Sequence, residues 1–119
     1  MKYLLALLMF FSNAAKADFD SWSTTDKSLF VAHTALVVAD WGQTRYISQH
    51  PDQFEEMNPI LGPHPSQRNV DLFFLTQLVG SYYLIDYFKN DRTRILIGLT
   101  VVRGATVQHN AHFGVKMGF

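Results

Sequence analysis

The sequence predicts an all-α protein: a three-helix bundle after a cleaved signal peptide, with a proline-rich loop between helices 1 and 2. Three observations predict it. Segments near 27–48, 66–88 and 92–110 are mostly apolar, free of interior proline and preceded by helix-capping residues. All four prolines, at positions 51, 59, 63 and 65, lie between Asp40 and Ser66. Each fixes a φ angle and removes a backbone donor, so no helix runs through them. Residues 1–17, MKYLLALLMFFSNAAKA, combine a positive start at Lys2, an apolar run from Leu4 to Phe11 and the small-x-small ending Ala15-Lys16-Ala17. That is the pattern of a secretory signal cut after Ala17, which leaves a single helical domain over 18–119.

Residues 18–25, DFDSWSTT, are polar with two aromatics and read as an extended lead-in. Thr24, Thr25 or Asp26 is the expected cap of helix 1, which starts near Lys27 and runs to about Ser48. The loop follows. Its prolines make it stiff, Gly62 suits a positive φ, and Asn58 before Pro59 is biased to extended or turn geometry. Ser66 then caps helix 2, expected to end near Phe88. Lys89-Asn90-Asp91 is short enough to make helices 2 and 3 an antiparallel hairpin. Asn90 or Asp91 caps helix 3, which runs from Arg92 to about Asn110. The alternation of Phe113, Val115, Met117 and Phe119 marks a tail that packs on the bundle or forms an edge strand.

Charge excludes one class of partner. The chain has ten basic and ten acidic residues, and cleavage after Ala17 removes Lys2 and Lys16, leaving eight basic against ten acidic. A net charge of −2 is not that of a nucleic-acid binder. With no Cys there is no disulfide, thiol chemistry or lipobox. Helix 2 is apolar enough nearly to span a membrane. Helices 1 and 3 are marginal, because an Asp or Arg at a helix centre costs about 2.5–3.5 kcal/mol against about 0.3–0.6 gained per large apolar residue. Three spans after a cleaved signal would also place Lys89, Arg92 and Arg94 outside, against the positive-inside tendency. The expectation is an exported domain of the cell envelope, with a membrane or envelope protein as partner. A protein with three short membrane helices is the alternative.

Polar residues inside these helices fall on stripes. His33, Asp40 and Thr44 share one face of helix 1, Arg103, Thr106 and Asn110 one face of helix 3, and Gln77 and Ser81 lie one turn apart on helix 2. If the stripes face each other, Asp40 and Arg103 pair inside the bundle. The candidate binding cluster is Asp40, Thr44, Glu56, Asn58, His64, Arg103 and His109. No metal or other cofactor is expected. His109 and His112 share a helical face, but there is no HExxH, and without Cys a zinc site needs His and carboxylate from several segments. A His/carboxylate metal-dependent hydrolase is the second alternative. Ser66 follows His-Pro rather than a G-x-S-x-G elbow and has a role as a cap.

The run Asp40-x3-Thr44, then Glu56-x-Asn58-Pro59 continuing as ILGPHPS, resembles small bacterial helical proteins without an assigned activity, some of them predicted to be integral to membranes. The resemblance covers about a third of the chain. It implies that Asp40, Thr44, Glu56, Asn58, Pro59, His64 and Ser66 are the motif positions, and it implies no particular reaction.

Overall fold

The computed structural model describes Leu5 and residues 19–119; apart from Leu5, the expected signal peptide over 1–17 lies outside the described residues. The architecture is an all-α three-helix bundle: α1 Thr24–Gln49, α2 Gln67–Tyr87 and α3 Arg92–His112. Contacts fix its directions. Phe30 meets Tyr82 and Trp41 meets Asp71, so α2 runs against α1. Asp26 meets Thr93 and Asp40 meets Arg103, so α3 runs with α1. α1 is the central helix, with its larger interface to α3, whereas α2 and α3 touch each other least. No described helix is long and apolar enough to cross a membrane.

The lead-in is not extended. Phe19–Ser21 form a 3₁₀ turn that folds Trp22 into the core. Ser23, not a residue from 24 to 26, caps α1, accepting from the Asp26 N–H at 3.1 Å. The reason is that Asp26 is buried and accepts from the Thr93 hydroxyl of α3 at 2.5 Å, so its carboxylate serves a tertiary contact instead. Ser66 caps α2 as expected. Asp91 occupies the cap position of α3 without a side-chain hydrogen bond. The end of α2 is satisfied by Arg92, whose guanidinium donates to the carbonyls of Ile85 and Asp86 and lies over the Trp22 ring.

The core has two apolar clusters. Trp22, Phe30, Tyr82, Ile85 and Leu96 fill the end near the α2–α3 turn. Val37, Trp41, Val70, Phe74 and Leu78 fill the end near the proline loop. α3 buries only Arg92 and Leu96, leaving Ile97, Val101 and Val102 facing outward.

The segment after α3 returns to α1. Val115 is buried, the Gly118 N–H donates to the Gly42 carbonyl at 2.8 Å, and the Gly118 carbonyl accepts from Arg45 and Gln49. It packs as a strap on the bundle rather than pairing as a strand. Glycine is required at one of the two positions. A Cβ on Gly118 would lie 2.4 Å from the Tyr46 backbone nitrogen, which cannot yield; a Cβ on Gly42 would meet only the side chains of Met117 and Phe119. Overpacking costs about 1–3 kcal/mol, and alanine in place of a helical glycine returns about 1 kcal/mol. Gly118→Ala should therefore destabilise by about 1–3 kcal/mol in urea unfolding, and Gly42→Ala should lie near neutral; equal effects would show that the strap does not seat as described.

Candidate functional site

The site begins with a charge that α1 buries. Asp40 falls on the inward face with His33, Val37 and Thr44, all buried. Its carboxylate accepts from Arg103 of α3 at 2.5 Å and, over a longer 3.5 Å, from the Thr44 hydroxyl. Arg103 uses its second terminal nitrogen on Gln77 of α2 at 2.5 Å and lays its guanidinium over Phe74. One Arg thus ties all three helices, and both partners are largely removed from water.

Beside this pair opens a cleft of about 1290 Å³. Its floor is the Asp40–Arg103 pair and Thr44. One wall is the last turns of α3 with Thr106, His109 and Asn110, and the other is the proline loop from Gln53 to Leu61. Ile47, Phe54, Phe74, Phe113 and Val115 make apolar stretches of the lining. The loop is held by its own hydrogen bonds. Asn58 donates its N–H to the Glu56 carboxylate, its side-chain oxygen accepts from Ile60, and its carbonyl accepts from Leu61 and Gly62. The Glu56 N–H donates to the Pro63 carbonyl, and Gly62 takes the positive φ of 78°. Six of the seven candidate residues therefore line one cleft: Asp40, Thr44, Glu56, Asn58, Arg103 and His109.

His64 does not join them. It is exposed and outside the cleft lining, 3.8 Å from Glu55. The rigid corner at Pro63 and the burial of Pro65 turn the chain toward α2 and carry His64 outward. Ser81 also leaves the polar cluster, donating instead to the Leu78 carbonyl one turn back. Among the described residues no three of His, Asp or Glu come together to hold a metal ion.

Two polar ties escaped sequence reasoning. Gln43 bridges α1 to α3, donating to the Val107 carbonyl and accepting from Asn110. Arg45 is doubly bonded to Asp71, which also accepts from the Trp41 indole. Asp71 directly follows the core residue Val70, so its signal was faint: one acid among apolar neighbours on the first turns of α2, facing the only Arg of α1.

The electrostatics of the site are uneven. Burial pushes the Glu56 carboxyl above the ordinary glutamate range; the amides of Asn58 and Met57 draw it back, and the charge of Asp40 pushes it further up. His33, beside the pair, is 2% exposed, and neither ring nitrogen has a hydrogen-bond partner. Burial, and after it the Arg103 charge, holds its pKa below the ordinary 6.5. Comparison with protein-family models, curated proteins and solved structures gave no match.

Removing one partner of a buried ion pair leaves the other unpaired, at a cost of about 3–5 kcal/mol, while replacing both by apolar groups is often neutral. Asp40→Ala should destabilise by about that amount in chemical denaturation, and Asp40→Leu with Arg103→Met should recover most of it. An Asp40→Ala effect within about 0.5 kcal/mol, the range of surface changes, would contradict burial of the pair. His33 adds a pH dependence. The unfolded chain protonates His33 near pH 6.5 and the folded protein resists it, so the unfolded state binds more protons and stability falls as pH drops below that value. Denaturation midpoints measured between pH 8 and pH 5 should show this fall, and His33→Leu should lose that share of it.

Proposed function

We propose that this chain is a small exported cell-envelope protein that acts as a binding module, taking a small molecule into the cleft between α1, α3 and the proline loop. The signal pattern of residues 1–17 supports export. The observation that carries the binding reading is the convergence of six polar candidate residues on a single cleft with apolar walls. Sites for small ligands are concave, largely apolar and furnished with a few placed polar groups. The loop arrives preorganised by its own hydrogen bonds and prolines, which lowers the ordering cost of binding. The metal-dependent hydrolase has less behind it, because its histidines lie apart: His109 lines the cleft, whereas His64 is outside the lining and faces solvent.

A neutral apolar fluorophore tests the reading. Nile red should bind the protein with enhanced fluorescence at one saturable site. Ala105→Trp fills the cleft from an exposed position of α3 without touching the ion pair, and should abolish that component. Equal enhancement in both proteins would set the cleft aside.

A second reading is favoured by the outward apolar residues Tyr83, Leu84, Tyr87 and Phe88 at the end of α2, with Ile97, Val101 and Val102 on α3. Exposed apolar surface of this kind suits a lipid surface. Since no described helix can cross a bilayer, this reading has the helices resting on a membrane. The protein should then float with phospholipid vesicles in a density gradient; if all of it stays at the bottom, the reading fails.

A further inference from the structure

We propose that the cleft takes an amphiphile with a cationic head, seating an ammonium group on Glu56 and an apolar body along Phe54 and Phe113. The proposal rests on the binding-module reading above and adds the chemical class of the ligand.

The charges around the cleft single out one group. Three carboxylates line it, Asp40, Glu55 and Glu56, together with Arg103 and His109. Arg103 is already engaged, with one terminal nitrogen on Asp40, the other on Gln77 and its face over Phe74. It cannot serve an incoming anion without breaking the contact that joins the helices. Asp40 is neutralised by the same contact. The Glu55 side chain is 73% exposed and lies beside His64, away from the floor. Glu56 remains. It is half-buried, and no Lys, Arg or His among the described residues forms an ion pair with it.

Glu56 is also held in place. Its carboxylate accepts from the Asn58 N–H at 2.9 Å and its own N–H donates to the Pro63 carbonyl at 2.9 Å, so both its side chain and its backbone are fixed by the loop. A positioned, partly desolvated carboxylate without a counter-ion is best satisfied by a cationic donor, through a charge-assisted hydrogen bond. A neutral ligand would bury it further unpaired, and an anion would meet the uncompensated charge of Glu56. The aromatic lining adds to the preference, since an ammonium group is attracted to the face of a Phe ring. The cleft, about 1290 Å³, exceeds the usual span of about 300–1,000 Å³ for small-ligand sites. It has room for a polar head and an apolar chain together.

Hexylammonium, hexanol and hexanoate carry the same chain with three head groups, and isothermal titration calorimetry on the folded protein separates them. Hexylammonium should bind about tenfold more tightly than hexanol, the scale of one charge-assisted contact, and hexanoate most weakly. Glu56→Gln keeps an acceptor for the Asn58 N–H and should bring hexylammonium down to the level of hexanol while leaving hexanol unchanged. Asp52→Asn, at an exposed acid of the same loop outside the cleft lining, should alter neither. Equal affinity for hexylammonium and hexanol, with both lost in Ala105→Trp, would overturn the cationic assignment and leave the cleft as a binding site. No binding of any of the three, joined to the absence of a Nile red site, would overturn the binding reading itself. A preference for hexanoate would overturn the charge argument outright.

Discussion

The contact on which the bundle depends is the buried pair of Asp40 and Arg103, completed by Gln77. There side chains from all three helices meet through directional bonds. α2 and α3 touch each other least, so their mutual position is set chiefly through α1 and through Arg103. A buried ion pair contributes little net stability against an apolar alternative, but it penalises every arrangement in which its partners are apart. The two apolar clusters would tolerate small rotations of α3 about α1. The Arg fork, holding an acid on one helix and an amide on another, admits one register.

That register also shapes the cleft. Arg103 pins the middle of α3 to α1, and Gln43 pins its later turns through Val107 and Asn110. The proline loop leaves α1 at His50 and must reach Ser66, so it arches past the end of this interface instead of filling it. Its internal bonds, centred on Asn58, keep it in that arch, with Phe54 against Tyr46 of α1. The opening is thus a by-product of helix register and loop stiffness, and its polar lining is a set of residues whose first duty is structural. Glu56 shares that duty through its bond to Asn58, but among the described residues it is half-buried without a counter-charge.

The helices and their caps were legible because they are local. Ser66 is preceded by proline and followed by a proline-free stretch that becomes mostly apolar from Leu72, so the start of α2 needed no tertiary information. The stripe containing Asp40 and the stripe containing Arg103 were likewise visible at helical spacing. What remained hidden was any outcome decided by a contact distant in sequence. Asp26 looked like a cap until Thr93 claimed its carboxylate, and the 3₁₀ turn at Phe19–Ser21 exists because Trp22 has a slot between Phe30 and Tyr82. His64 sat in the densest motif of the chain, yet a single proline corner sends it to solvent. Arg45 and Asp71 are ordinary charges in the sequence, and only the crossing of α1 and α2 makes them partners.

The strap that seats Gly118 against Gly42 has a bearing on how the molecule opens. α3 buries few of its own side chains, and an isolated helix of that kind would unravel from its ends and exchange its amide hydrogens quickly. Here neither end is loose. Arg92 is bonded to the last carbonyls of α2, and the chain beyond His112 is bonded to α1. Held at both termini, α3 has to detach as a unit, which couples its opening to that of its neighbours. A helix that buries few of its own side chains is thereby held at both ends through hydrogen bonds to backbone carbonyls.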